Sequence, residues 1–297
     1  GTELWRTDGT SRGTRRVEDL RKGISLSSPS FLVVFNGALF YTAHTDVTGT
    51  ELFRSDGASG GTYIVKDIVR GYTGSNPRDL VSASGVALFF TTDDGIAGRE
   101  LWRSDGTLNL FHENSGLESD VSGESGTHRV QDIRTGPLGS DPRFLTWEAK
   151  LSILFFSADD GARGRELWSS NGTASGTALV ADICPGVRDS GPSQLTAWIG
   201  RLFFQANDCE TGPELWVSDG TEKGTMVLVD LRPGSAGAFP SFITPLKPAN
   251  GGGERIFFLA NGGSYDAAAA PGLEQGWGGA QLWLSDGTDA GTRRVFD

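Results

Sequence analysis

The sequence predicts an all-β fold, a β-propeller of four-stranded antiparallel blades, and three observations carry that reading. First, a Glu-Leu-Trp segment running on into Asp-Gly-Thr or a close variant recurs as Glu3-Leu4-Trp5, Glu51-Leu52-Phe53, Glu100-Leu101-Trp102, Glu166-Leu167-Trp168, Glu214-Leu215-Trp216 and Gln281-Leu282-Trp283. Successive copies start 48, 49, 66, 48 and 67 residues apart, and periods of this size mark solenoids, propellers or arrays. Second, each period holds four short segments separated by turn residues, which is the arithmetic of a propeller blade. Third, no stretch of helical period competes with them.

The first segment of each unit follows a Ser-x-Pro signal: Ser27-Ser28-Pro29, Ser75-Asn76-Pro77, Ser140-Asp141-Pro142 and Ser190-Gly191-Pro192, with Pro240 in the fifth. Proline is tolerated there because it starts a strand. The second is an apolar run, Leu39-Phe40-Tyr41, Leu88-Phe89-Phe90, Leu154-Phe155-Phe156, Leu202-Phe203-Phe204 and Ile256-Phe257-Phe258, as expected of strands buried on both faces. The third is the Glu-Leu-Trp strand. The Ser-Asp-Gly-Thr behind it is a hairpin signal, in which Asp bonds the backbone ahead and Gly takes the positive φ. The fourth begins Gly-Thr and alternates, as in Gly61-Thr62-Tyr63-Ile64-Val65-Lys66-Asp67, the pattern of a half-exposed outer strand.

Complete blades are expected near Ser27–Asp67, Ser75–Asp132, Ser140–Asp182, Ser190–Asp230 and Ala238–Asp297, while residues 1 to about 20 supply only a third and a fourth strand. Six blades are favoured, five complete and one partial, and a five-bladed ring with a spare hairpin is the alternative. The repeats fall near 1–50, 51–99, 100–165, 166–213, 214–280 and 281–297 within a single domain, 1–297.

Composition narrows the functional classes. Forty-three glycines fall at fixed places in the repeat, and 17 Phe with 8 Trp argue against disorder. A net charge of −11 disfavours nucleic acid, because phosphate binding needs clustered Lys and Arg. No apolar run approaches the roughly 18 residues of a membrane span, and no signal-peptide pattern opens the chain. The chain starts at Gly1 in mid-repeat, so the expectation is a processed form or a piece of something longer.

With these residues in hand, the unit resembles the bacterial and algal repeat family named for its ELWxxDGT motif, matched across almost the whole chain. Its Asp-Gly turn is also similar to the Asp-box of sialidase-type propellers, where the turn is structural. The resemblance implies the propeller fold, no enzymatic assignment, and membership of large exported or surface proteins.

The recurring acids read as scaffold. Asp8, Asp56, Asp105 and Asp219 suit Asx turns, and Asp19, Asp67, Asp132, Asp182 and Asp230 end fourth strands. Glu3, Glu51, Glu100, Glu166 and Glu214 are expected to bind backbone, or Arg between blades. Calcium competes at Asp94 with Glu100, Asp160 with Glu166 and Asp208 with Glu214, whose loops read Asp-x-x-x-Gly-x-Glu and offer oxygens; the alternative is a plain Gly turn with a solvated Asp. No other cofactor is expected. His44, His112 and His128 lie in different places without metal-site pairing, and no phosphate-binding glycine loop is present.

Local function is expected where the repeat is broken. One insertion, Leu108 to Ser125, carries Phe111 and His112; another, Gly262 to Gly279, carries Tyr265 and Trp277. An exposed Trp among glycines suits a sugar face or a protein partner, the alternative for Trp277 being a fold back over the blade edge. Asn171-Gly172-Thr173 is a sequon at a hairpin tip, and predicts a glycan if the source is a eukaryote that exports the protein.

Cys184 and Cys209 stand outside the repeat. The connection leaving a fourth strand and the next loop between second and third strands emerge on one face, so a disulfide is expected, two unrelated thiols being the alternative.

The functional expectation is a non-catalytic extracellular or cell-surface module, structural or interacting, in a larger assembly. Its partners would be other protein chains or glycans, with neither nucleic acid nor membrane insertion. A glycan-binding propeller lectin is the alternative. A sialidase-type glycoside hydrolase stands behind both, because it needs an arginine cluster and a Tyr nucleophile where the first and second segments look apolar.

Overall fold

The structure is a computed structural model in which residues 1–107, 126–247, 253–262 and 279–296 are described. All its described elements are strands, none is a helix, and no helix is long and apolar enough to cross a membrane. The chain divides into two compact units, residues 1–145 with 172–177, and residues 146–171 with 178–297.

In the first unit β1 (Trp5–Arg6) and β2 (Arg15–Arg16) form a two-stranded sheet. A four-stranded sheet follows, with β3 (Ser30–Phe35), β4 (Ala38–Thr45), β5 (Gly49–Ser55) and β6 (Thr62–Lys66) in sequence order. The next has β7 (Arg78–Ala83), β8 (Ala87–Asp93), β9 (Arg99–Ser104) and β10 (Thr127–Arg129). Three more repeat the order: β11 (Arg143–Glu148), β12 (Ile153–Asp159), β13 (Arg165–Ser170) and β14 (Thr177–Ala181); β15 (Ser193–Trp198), β16 (Arg201–Asn207), β17 (Pro213–Ser218) and β18 (Met226–Val229); β19 (Ser241–Leu246), β20 (Arg255–Ala260), β21 (Gln281–Ser285) and β22 (Arg293–Arg294). The fold is the predicted one, an all-β propeller type with five complete antiparallel blades and the third and fourth strands of another.

The apolar segments form the second strands. Phe89, Phe90, Phe155, Phe156, Phe203 and Phe204 are fully buried, and each such side chain contributes about 1.5–3 kcal/mol by leaving water. In the first unit Phe35, Phe40, Leu52, Leu88, Phe90 and Trp102 pack as one cluster, so neighbouring blades share a core. In the second unit Phe203, Leu215, Ile256, Phe258 and Trp283 do the same.

The hairpin between third and fourth strands follows the sequence reading. Asp219 Oδ1 accepts the Thr221 N–H at 2.9 Å and its hydroxyl at 2.7 Å, and Asp286 holds Thr288 in the same way. The Thr221 hydroxyl keeps the Asp219 carboxyl below its ordinary range. Glycine is required at the tip for two reasons: Gly106 has φ +82, and a Cβ on it would meet Phe40 at 3.0 Å. Arg54 Nη1 donates to the Gly106 carbonyl at 3.3 Å and ties the tip to the preceding blade.

Candidate functional site

Each Glu of the repeated motif is buried, and in four of the five copies its partner is the serine that opens the next blade. Glu51 accepts the Ser75 N–H at 2.8 Å and the Ser75 hydroxyl at 2.6 Å. Glu100 does the same with Ser140 at 2.8 and 2.5 Å, Glu166 with Ser190 at 3.0 and 2.5 Å, and Glu3 takes the Ser27 hydroxyl. These glutamates therefore meet backbone and serine, not the arginines the sequence reading also allowed. In the fifth copy Ala238 stands at the serine's place; Glu214 keeps the Leu231 N–H at 3.1 Å, and its Oε1 has no hydrogen-bond partner among the described residues. Burial pushes the Glu51, Glu166 and Glu214 carboxyls up to about 7.

That latch fixes where the first strand of each blade begins, and the first strand is where the repeat becomes individual. Its second residue lies in the left-handed region in all five blades: Phe31 (φ 52), Asp79 (φ 55), Phe144 (φ 57), Gln194 (φ 56) and Phe242 (φ 53). In four of them a bulge follows from it, since the pairing shifts between Ser30 and Val33, Arg78 and Val81, Ser193 and Thr196, and Ser241 and Thr244. All five side chains are exposed. A non-glycine residue held this way costs about 1–3 kcal/mol and persists only where the surroundings impose it, typically at binding sites, and bulges commonly re-aim a side chain.

In the first unit the bulges are flanked by charge. Arg78 precedes Asp79, and Arg143, which precedes Phe144, grips Asp141 through Nε at 2.8 Å. Arg99 donates to the carbonyls of Thr91 and Asn76, each at 2.9 Å; burial, and after it the like charge of Arg78, lowers its pKa. The expectation that first strands are apolar thus holds for β3, with Phe31, Leu32 and Val34 exposed, and is corrected for β7 and β11, which open on arginine. In the second unit Gln194 Oε1 accepts the Phe242 N–H at 3.2 Å, joining two bulges directly. Within each unit these first strands offer exposed groups on a stiff frame, aromatic and carboxylate in the first and aromatic and amide in the second, suited to holding a ligand surface.

The other sequence-derived candidates are distributed differently. The calcium pairs are not brought together: Asp94 Oδ1 accepts the Ile96 and Ala97 N–H groups and its Oδ2 accepts from Arg129 at 2.8 Å, while Glu100 turns to Ser140. Asp160 holds Ala162 and Arg163, Asp208 holds Glu210 and Thr211, and Glu166 and Glu214 face the latch. Short Asx turns satisfy these aspartates locally, so the loop spacing brings no ligand set together, and no group of three His, Cys, Asp or Glu able to hold a metal occurs among the described residues. Cys184 and Cys209 form a disulfide with a Cα–Cα distance of 5.5 Å. Asn171 is exposed at its hairpin tip. Phe111, His112, Tyr265 and Trp277 lie outside the described residues.

The bulges escaped the sequence reading. Residues before the recurring proline gave a partial signal: Asn76 and Asp141 have positive φ and are of types that tolerate it. Phe31, Phe144 and Phe242 gave none, since a Phe in a strand pattern reads as ordinary strand.

No protein-family model matches the sequence, and no curated protein matches it. Among solved structures the chain is similar to puromycin hydrolase, at 15% identity over 86% of this chain and 36% of that one, with a TM-score of 0.45. It is similar also to a puromycin-hydrolyzing peptidase from Mycobacterium tuberculosis, at 14% identity over 88% and 37% with a TM-score of 0.45, and to TolB from Acinetobacter baumannii, at 10% identity over 85% and 51% with a TM-score of 0.40. The chain spans little more than a third of the two hydrolytic proteins.

Proposed function

We propose that this chain is a non-catalytic interaction module of an extracellular or cell-surface assembly, binding a protein partner through the bulged first strands. One observation carries the reading: the scaffold residues repeat from blade to blade, whereas the exposed left-handed position changes chemistry, from Phe31 to Asp79, Phe144, Gln194 and Phe242. Within each unit, a repeated backbone that holds this position in the left-handed region while its side chain changes is arranged to present a varied surface. The disulfide supports an oxidising compartment, and the resemblance to exported ELWxxDGT repeats agrees with it.

A photo-crosslinking amino acid placed at residue 144 or 242, in protein made by its own source, tests this. Crosslinks to one protein partner are expected there and not from residue 63 on an outer strand. The lectin reading rests on the exposed Phe31, Phe144 and Phe242 rings, which could stack on a sugar. Glycan-array binding abolished by Phe144→Ala, without a protein crosslink, would replace the first reading with the second; turnover of a glycoside panel would remove both.

A further inference from the structure

A cavity of about 200 Å³ lies within the first unit, between the β3–β4 turn and the hairpin tip that follows β9. Phe35, Ala38 and Phe40 form its floor, and Asn36, Arg54 and residues 105–107 its rim. The floor is apolar and closed: those three side chains are 1–5% exposed, and the two rings meet edge-on with centroids 5.9 Å apart.

The other blades fill the same place. The residue before the leucine of the second strand is Ala38 here, whereas the third blade has Ile153 at that register, and its Cδ1 lies 3.4 Å from where a Cβ on the tip glycine Gly220 would stand. In the fourth blade the facing pair Phe35 and Ala38 becomes Trp198 and Arg201, with the indole 3.6 Å from the same point on Gly287. In the second blade the pair is small, Ala83 with Ala87, and the Arg103 guanidinium moves in, its Nη1 3.2 Å from that point on Gly172. None of these fillings occurs in the first blade, where the atoms nearest a Cβ on Gly106 belong to the floor rings themselves.

The rim supplies a cation. Arg54 is half-buried, gives Nη1 to the Gly106 carbonyl at 3.3 Å, and has no ion-pair partner among the described residues. The acid of the lining, Asp105, is already engaged: Oδ1 accepts the Thr107 N–H at 2.8 Å and hydroxyl at 2.6 Å, and Oδ2 accepts the Gly126 N–H at 2.8 Å. Asn36 adds an exposed amide at the mouth.

We propose that this cavity binds a small aromatic carboxylate, its ring seated on Phe35, Ala38 and Phe40 and its carboxylate held by the Arg54 guanidinium and the Asn36 amide. The site lies at the opposite end of β3 from the bulged Phe31 and does not rest on the role proposed for the bulges. Size selects the ring, because an apolar cavity of roughly 150 Å³ already holds benzene, and the extra room here is on the polar side. Edge-to-face contact with Phe35 and Phe40 favours an aromatic group over an aliphatic one. Charge selects the carboxylate, since arginine makes short, charge-assisted and often paired bonds to it, and an ammonium group would face Arg54.

Benzoate is the probe and benzamide its uncharged counterpart, each titrated into the full chain while NMR follows the Ala38 methyl and the Arg54 guanidinium. Saturable shifts at both groups are expected, with benzoate at least about tenfold tighter than benzamide. Ala38→Ile, which installs the side chain the third blade carries, should keep the unfolding midpoint and abolish the shifts from both probes. Arg54→Gln should leave weak binding and make the two probes equal. Should Ala38→Ile fail to fold, contacts between the benzoate ring protons and the Ala38 methyl must be seen in the unaltered chain, and their absence overturns the proposal. So does a benzoate titration without saturable shifts, benzamide binding as tightly as benzoate, or undiminished benzoate binding by folded Ala38→Ile, which would put the ligand elsewhere.

Discussion

Glu214 differs from Glu51, Glu100 and Glu166 by one neighbour, since Ala238 replaces the serine hydroxyl that each of the others receives. Ala238→Ser should supply that donor and raise unfolding stability by about 0.5–1.5 kcal/mol, while Ser190→Ala should lower it by about 1–3 kcal/mol because a buried carboxylate loses a partner; urea titration of both variants measures the contrast. The same glutamates set a pH dependence. Burial raises Glu51, Glu166 and Glu214 from 4.5 to about 7. Between those values the folded chain holds protons that the unfolded chain has released, so stability is fully present below about pH 4.5 and is lost as pH rises through about 7. The titrations are expected to show this fall, with Glu214→Gln reducing its size; a stability flat or rising over that window would contradict the burial argument. At the bulges the strain should be recoverable. Phe242, 71% exposed with φ 53, changed to Gly should gain about 1 kcal/mol by removing the left-handed penalty, and lose partner crosslinking at the same time.

At the scale of one element, the third strand carries the blade. Trp102 is 6% exposed and lies in one cluster with Phe90 and Phe40, so Trp102→Ala should cost about 3–5 kcal/mol; a loss under about 1 kcal/mol by calorimetric unfolding would show that the ring is not wedged into that core. Element identity was legible in the sequence because each strand had its own periodicity: Leu88-Phe89-Phe90 is apolar on both faces, and Thr62 to Lys66 alternates. The Asp-Gly turn was legible because its chemistry is local, an Asx bond and a positive φ. The Glu100–Ser140 latch was hidden because its partners are far apart in sequence and belong to different blades, although a serine 24 positions after Glu51 and Glu166 was a spacing that could have exposed it. The bulge was hidden because a left-handed Phe242 is imposed by tertiary pairing against local preference, and nothing in the sequence marks it. The Asp94–Glu100 spacing does not foretell the side-chain geometry for the opposite reason, since loop spacing is local while the direction of the Glu100 side chain is decided by the next blade.

At the scale of the whole molecule the one covalent tie is placed where repeats give no support. Cys184 follows β14 and Cys209 lies between β16 and β17, so the bond joins the handover after one blade to a loop of the next, across 25 residues of sequence. Both cysteines belong to the second unit, and Cys184 is fully buried. Closing a loop of that length restricts the unfolded chain and stabilises by about 3 kcal/mol in the chain-entropy account. Reduction should therefore lower the denaturation midpoint and speed amide exchange in residues 185–212, with residues 51–104 in the first unit serving as the comparison. Preparations from the native source should show no free thiol after denaturation without reductant, as expected of an oxidising compartment. Two free thiols would place the chain among reduced proteins, and the extracellular reading would then stand on the resemblance alone.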